Sequence, residues 1–130
     1  MSREYPDDLR YTKEHEWARV DGNLVTIGVT HFAIESLGDI TQIDLPKEGE
    51  MVKREGTIGT IESVKAVSDV FSPVSGKVVK VNDSLSDEPE MLNDDCYDEG
   101  WFVQIEMSNP KELDELLPVD QYETYVKEQG

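Results

Sequence analysis

Short stretches in which apolar and polar residues alternate dominate the chain. Alternation with a period of two is typical of β-strands that bury one face. It occurs in residues 24–29, 41–45, 76–81 and 101–107, between turns rich in Gly, Pro and Asp. The pattern predicts a mostly β protein in which two packed layers form a sandwich or a flattened barrel.

Helical periodicity is confined to short segments. Thr30 can cap a first helix, which Gly38 would end. Asn109 predicts the start of a second helix and Asp120 the start of a third, so that a C-terminal helical extension covers about residues 109–128. The apolar residues of this extension recur at helical spacing and are expected to pack on the sheet: Leu113, Leu116, Leu117, Tyr122, Tyr125 and Val126.

Composition narrows the class of protein. The chain has 130 residues, 32% of them charged, and a net charge of -17. Its length predicts a single domain over residues 1–130. The negative charge opposes binding to nucleic acid and to anionic membranes, and no run reaches the ~20 apolar residues of a membrane span. The first residues have no signal or transit character, which predicts a cytoplasmic protein, or a mitochondrial matrix protein if the chain is a processed eukaryotic form.

The other residues whose side chains could bind a metal or react are interpreted as structural or surface residues. Residues 82–100 hold eight carboxylates and no basic residue, which indicates a solvated acidic surface able to dock on a partner. The single Cys96 excludes an intramolecular disulfide and is interpreted as a small, partly buried apolar residue. His15 and His31 have no third ligand at convincing spacing, so no metal site is predicted.

Lys65 is the candidate functional residue. It lies where two stretches rich in β-branched residues would meet in a hairpin, and no other Lys or Arg occurs between Arg54 and Lys77. A primary amine at a hairpin tip is exposed at a fixed position, and the small neighbours Ser63 and Ala66 leave it accessible. Such an amine suits the covalent attachment of a cofactor through an amide. An ordinary surface lysine is the alternative on these grounds alone.

A series of short motifs in fixed order extends along nearly the whole chain. They include YTKEHEW at 11–17, GVT at 28–30, LGDI at 37–40, ESVKA at 62–66, SPVSG at 72–76, LN at 92–93 and GW at 100–101. In their order and spacing these motifs resemble those of the H proteins of the glycine cleavage system. Cys96 departs from the resemblance, because the family usually has Pro there, and the strong acidity is a second departure.

The resemblance implies a lipoyl-domain-like sandwich with Lys65 at a hairpin tip, where it would carry lipoate as an amide. The attachment hairpin would include Glu62, Ser63 and Ala66. The family folds the loaded arm back into a surface cleft, and the matching carboxylates are Glu16 and Asp69. For both carboxylates, a solvated position on a strand is the alternative.

The resemblance also implies a function and a set of partners. The chain would be a non-catalytic carrier, expected to be a monomer, that shuttles the aminomethyl group of glycine. A pyridoxal-phosphate glycine decarboxylase (P protein) would load it, and a tetrahydrofolate-dependent aminomethyltransferase (T protein) would unload it. Dihydrolipoamide dehydrogenase (L protein) would reoxidise the dithiol, and a lipoate ligase or transferase would attach the cofactor.

Other lipoyl or biotinyl carriers remain as alternatives. An H-like protein that relays lipoyl groups to other lipoyl-dependent enzymes would share the Lys65 site and is not excluded by the sequence. Biotin carriers typically flank the lysine with Met, whereas Val64 and Ala66 do so here. Lipoyl domains of 2-oxoacid dehydrogenase complexes typically have Asp before the lysine, where this chain has Val64.

Overall fold

The computed structural model describes residues 8–97 and 99–129, and nine strands in two antiparallel sheets form the framework of this part of the chain. The larger sheet has the strand order β1-β2-β3-β9-β8-β5 and the smaller sheet the order β4-β6-β7. The strands are β1 Arg10–Tyr11, β2 Glu16–Asp21, β3 Leu24–Val29, β4 Ile40–Asp44, β5 Met51–Val52, β6 Thr57–Ser63, β7 Val67–Phe71, β8 Gly76–Val81 and β9 Val103–Met107. The predicted mostly β fold of two packed layers is confirmed.

The helices lie at the margins of the sheets. They are α1 His31–Leu37, α2 Asp83–Asp87, α3 Met91–Asp94, a 3₁₀ helix Pro110–Glu115 and α4 Val119–Gln129. None of the helices in the described part of the chain is long and apolar enough to cross a membrane.

The main core lies between the inner faces of the two sheets. Val25 and Ile27 of β3 and Ile105 of β9 are fully buried and belong to the same apolar cluster as Ile61 and Val70 of the smaller sheet. Burying an aliphatic side chain of this size contributes about 1.5–3 kcal/mol. A second cluster, which includes Tyr11, Trp17 and Tyr122, fixes α4 against the larger sheet. Within this cluster the rings of Tyr11 and Tyr122 are stacked, with centroids 4.6 Å apart.

The predicted first helix is confirmed, but the hydroxyl at its start has another role. Thr30 precedes α1, and Gly38 follows it with a φ of 79°. Thr30 makes no side-chain cap bond to the helix, because its hydroxyl lies 2.7 Å from the Tyr122 hydroxyl. Thr30 therefore connects α1 to the C-terminal helix.

The C-terminal segment differs from the prediction in detail. Asn109 caps as expected, accepting a hydrogen bond from the Lys111 N–H at 3.3 Å, but the helix that follows is 3₁₀. The prediction that Asp120 caps the last helix was wrong: α4 begins at Val119, and Asp120 lies in its first turn. Tyr122 there donates its backbone N–H to Pro118.

A close contact between two strands makes Gly28 sensitive to substitution. Gly28 pairs across β2 and β3 with Trp17, and a Cβ at Gly28 would lie 2.5 Å from the indole ring. Both residues are buried, so the ring has little room to move. We expect Gly28→Ala to lower the free energy of unfolding by about 1–3 kcal/mol, measured by urea denaturation.

The same substitution in a Trp17→Phe background identifies the cause of the loss of stability in Gly28→Ala. The nearest indole atoms are Cζ2, Cε2 and Nε1, which a phenylalanine ring does not place there. Gly28→Ala should therefore cost less in a Trp17→Phe background than in the wild type. An equal cost in both backgrounds would mean that the indole contact is not the cause.

Candidate functional site

The turn between β6 and β7 presents Lys65, as the sequence predicted. Glu62 pairs with Val67 at the base of the turn. The Ser63 N–H donates to the Ala66 carbonyl at 2.8 Å, and the Ser63 hydroxyl oxygen accepts from the N–H groups of Ala66 and Lys65 at 3.1 and 3.3 Å. A serine at this position thus satisfies turn N–H groups that the strands cannot pair. Lys65 is exposed at the centre of this turn.

The surroundings of Lys65 are open and partly apolar. Val64 and Val67 on either side are 71% and 67% exposed. The lysine stem passes close to Gly38, where an added Cβ would lie 3.2 Å from Lys65 Cε. The exposed end of Lys65 can shift to relieve this contact, so the φ of 79° at Gly38 is the stronger reason for glycine at this position.

A cavity of about 690 Å³ opens near the far end of β7. It is lined by residues from the N-terminal segment, the β5–β6 loop, the end of β7 and the 3₁₀ helix: Thr12, Lys13, Glu14, Glu16, Arg54, Glu55, Phe71, Ser72, Pro73, Glu115, Leu116 and Leu117. The cavity thus combines apolar walls with four carboxylates and with two cationic side chains, Lys13 and Arg54.

Glu16, the first residue of β2, is the buried carboxylate of this cavity and is only 2% exposed. The Thr12 hydroxyl donates to its Oε1 at 2.6 Å, and the Phe71 N–H donates to its Oε2 at 3.3 Å. Burial raises the pKa of the Glu16 carboxyl to about 7; the two hydrogen bonds oppose this shift, and the charge of Glu14 adds to it. Near neutral pH this group can hold or release a proton, a property common at functional sites.

Asp69 occupies a position between the turn and the cavity. It is exposed on β7, opposite Thr60, and does not line the cavity. Alternate residues of a strand share a face, so Asp69 lies on the same face of β7 as Phe71. At about 3.3 Å per residue, Asp69 is about 13 Å and Phe71 about 20 Å along the chain from Lys65. The structure thus places Glu16 in the cavity wall and Asp69 on β7, between the Lys65 turn and the cavity residue Phe71.

Several residues of this site were not singled out from the sequence. Thr12 lies within the YTKEHEW motif, and its hydroxyl oxygen accepts from the N–H groups of Glu14 and Glu16 at 3.2 and 3.1 Å while donating to the Glu16 carboxylate. A threonine two and four residues before acidic residues was the available signal. Leu116 and Leu117 were predicted to pack on the sheet, and they also form cavity wall.

The remaining candidates take structural positions. His15 Nδ1 lies 2.8 Å from the Tyr122 hydroxyl, and burial lowers the pKa of the His15 ring. His31 contacts Glu35 one turn along α1 at 2.6 Å. Cys96 is buried, which raises the pKa of its thiol to about 12. Among the described residues, no three His, Cys, Asp or Glu side chains are grouped to hold a metal ion.

A small two-sheet domain that projects one lysine from a hairpin, with a cavity and a buried carboxylate nearby, belongs to the class of single-lysine carrier domains. Residues 9–129 match the family model described as Glycine cleavage H-protein, and the chain belongs to this family.

Known proteins agree with this assignment. The Glycine cleavage system H protein of Anaeromyxobacter sp. (strain K) is 51% identical over 126 residues, covering 97% of this chain and 98% of that protein. The one from Myxococcus xanthus (strain DK1622) is 53% identical over 122 residues, covering 94% and 95%. The crystal structure of a glycine cleavage system H protein from Mycobacterium marinum superposes with a TM-score of 0.85 at 34% identity, covering 97% of this chain and 99% of that one. The resemblance seen in the motifs is confirmed.

Proposed function

We propose that this chain carries lipoate on Lys65 and, as the H protein component of the glycine cleavage system, shuttles the aminomethyl group of glycine between two enzymes. The observation that carries the proposal is an exposed lysine at the centre of a serine-closed hairpin turn, in a chain of this family. The chain itself breaks and forms no bond of glycine, so its role is that of a non-catalytic carrier.

The residues around the turn fit a lipoyl group. The Lys65 amine is exposed to an attaching enzyme, and Gly38 leaves room beside its stem. Amide formation removes the positive charge of the lysine, so the arm can lie along the outward face of β7 beside Val67 without a buried cation. When attached, lipoate would supply a disulfide, one sulfur of which can take up the aminomethyl group as the S–S bond breaks and the other sulfur becomes a thiol.

The cavity would shelter the cargo from water. Phe71, Leu116 and Leu117 supply apolar walls, and the carboxylate of Glu16 supplies a negative charge for an ammonium group. A cation beside Glu16 favours the ionised carboxylate, so the proton held on Glu16 near neutral pH would leave as the cargo enters. Excluding water from a reactive group is an established way to suppress its hydrolysis.

Loss of either carboxylate should shorten the lifetime of the loaded cargo. In Glu16→Ala and Asp69→Asn we expect normal lipoylation but faster loss of the aminomethyl group from the loaded carrier. The effect should be larger for Glu16, which lies inside the cavity, than for Asp69, which lies outside it. The half-life of the loaded protein, followed by intact mass, measures this, with Asp44→Asn, an exposed strand carboxylate, as the control. Unchanged half-lives would reject the role of both residues.

The partners follow from this proposal. Glycine decarboxylase, the aminomethyltransferase and dihydrolipoamide dehydrogenase would each receive the arm, and a lipoate ligase or transferase would attach it. The net charge of -17 favours docking on basic surfaces of these enzymes. We propose a monomer in the cytoplasm, or in the mitochondrial matrix if the chain is a processed eukaryotic form.

Two measurements, made one after the other, test the proposed function. After incubation with lipoate, ATP and a lipoate ligase, peptide mass spectrometry should map one lipoyl group to Lys65. The lipoylated protein should then support glycine–bicarbonate exchange by glycine decarboxylase. Lipoylation without exchange, together with transfer of the group to another lipoyl acceptor, would favour the relay alternative. No lipoylation of the folded protein by an active ligase would reject the proposal.

A further inference from the structure

The segment between α1 and β4 supports the turn that carries Lys65. The carbonyl of Asp39 accepts a hydrogen bond from the Val64 N–H at 3.2 Å, directly beside Lys65 in the chain. Gly38, the preceding residue, lies against the Lys65 stem. The position of residues 38 and 39 therefore determines where the turn rests.

That segment is in turn held by one side chain from a distant part of the sequence. The Asn93 Oδ1 accepts from the Ile40 N–H at 3.0 Å, and the Asn93 Nδ2 donates to the Gly38 carbonyl at 2.9 Å. The amide thus binds the backbone on both sides of Asp39. Asn93 lies on α3, 28 positions beyond Lys65 in the sequence, and does not itself contact the turn residues through any of these bonds.

We propose that Asn93 is a positioning residue for the modification of Lys65. By holding the backbone on either side of Asp39, it keeps the Asp39 carbonyl under the Val64 N–H and the turn in one orientation. An amide is the side chain suited to this task, because it provides a donor and an acceptor at the spacing of the two backbone groups. The acidic segment that follows β8 therefore supports the attachment turn.

Removing the amide should loosen the turn without unfolding the protein. Each of the two hydrogen bonds makes a modest net contribution to stability. Of the freed backbone groups, the Gly38 carbonyl can be hydrated at the surface, whereas the Ile40 N–H is partly buried. The fraction of molecules with a correctly placed turn then falls. An enzyme that binds only the correctly placed turn shows an apparent affinity reduced by the same fraction, so KM rises while kcat is retained.

Asn82 offers a matched control. Its amide also joins two backbone groups, donating to the carbonyls of Glu99 and Trp101 at 2.9 and 2.8 Å, but it makes no contact with the segment beneath the turn through these bonds. Asn82→Ala should therefore destabilise the fold at least as much as Asn93→Ala while leaving the turn in place. Asn93→Asp keeps the acceptor for Ile40 but sets a carboxylate oxygen against the Gly38 carbonyl, so it should disturb this segment at least as much as Asn93→Ala.

The test has two readouts. In Asn93→Ala, the Val64 amide should exchange its hydrogen faster than in the wild type, and the KM of lipoate ligase for the protein should rise about threefold to tenfold at similar kcat. Asn93→Asp should show at least as large a rise as Asn93→Ala, and Asn82→Ala no rise. Equal KM values and equal Val64 exchange in the two alanine variants would overturn the proposal and leave Asn93 a structural residue.

This inference rests on the proposed attachment of lipoate to Lys65, but the two can fail separately. If the wild-type protein is not lipoylated, the proposed function fails. Hydrogen exchange at Val64 still reports whether Asn93 holds the turn, because it requires no cofactor. If lipoylation occurs with unchanged KM in all variants, the function stands and the positioning role is rejected.

Discussion

Replacing Lys65 by arginine should abolish lipoylation completely. The guanidinium of arginine stays protonated and delocalised at any accessible pH, so it cannot serve as the amine that forms the amide. Lys65 is exposed, and the end of its side chain lies near Gly38 at the surface. The fold should therefore be unaffected by the substitution. Incubation with lipoate, ATP and a lipoate ligase, followed by intact mass measurement, should show no added lipoyl group.

The same variant should be inactive as a carrier. Glycine–bicarbonate exchange with glycine decarboxylase should fall to the rate observed without any carrier. Lys77→Arg, at an exposed position on β8, is the matched control and should behave as the wild type. A lipoyl group found on another lysine of the Lys65→Arg protein would contradict the assignment of the attachment site.

The second large effect concerns Glu16 and pH. The pKa of this carboxyl is about 7 in the folded chain and 4.5 for the unperturbed group. Between these values the folded state holds a proton that the unfolded state has lost, so the free energy of unfolding falls as the pH rises from 4.5 to 7. At 1.36 kcal/mol per pKa unit, the contribution of this one group is about 3 kcal/mol.

Glu16→Gln should remove this dependence. The variant should match the wild type in stability near pH 4.5 and exceed it by about 3 kcal/mol at pH 8, because a neutral amide replaces a buried charge. Urea denaturation of both proteins at the two pH values gives the difference in their free energies of unfolding. The titration of His15 and of other groups that both proteins share cancels in this difference. Glu106→Gln, which removes an exposed carboxylate of β9, controls for the change in net charge. A difference that is the same at both pH values would show that folding does not raise the pKa of Glu16.

Such a stability cost fits the proposed role of this carboxylate in binding an ammonium group. The Glu16 carboxylate accepts hydrogen bonds from the Thr12 hydroxyl and the Phe71 N–H, neither of which is a cation that would offset its charge. An ammonium beside it would supply that cation and remove part of the cost. The stabilised Glu16→Gln protein should accordingly be the poorer carrier, as is common when an active site is optimised for stability alone.

Much of the fold could be predicted because its signals are local. Alternation identified β3, β4, β8 and β9, and the Thr30 and Gly38 positions bounded α1. The shortest elements could not be predicted in this way. β1 and β5 have two residues each, too few for alternation to be recognised. α2 and α3 each bury one leucine, Leu85 and Leu92, so neither shows a helical period within an otherwise acidic segment.

The site was predictable only where its residues are close in sequence. Lys65 and its turn partners Ser63 and Ala66 are consecutive, so the hairpin could be recognised directly. Glu16 could be named from the resemblance alone, because nothing in a lone acidic residue before a tryptophan indicates that it is buried. The role of Asn93 depends on bonds to Gly38 and Ile40, more than fifty positions away, which no local pattern records.

Strand β1 and the segment that follows the 3₁₀ helix meet at the cavity. The backbone of Tyr11 and that of Leu117 exchange two hydrogen bonds, of 2.8 and 2.7 Å, and residues next to both form the cavity wall. Separation of this pair is a local opening that need not involve the core between the sheets. Under the proposed function, such an opening would expose the cargo to water, whereas the turn at Lys65 would keep its shape. Opening of this pair would therefore reduce the protection of the cargo, while the protein would remain a substrate for its attaching enzyme.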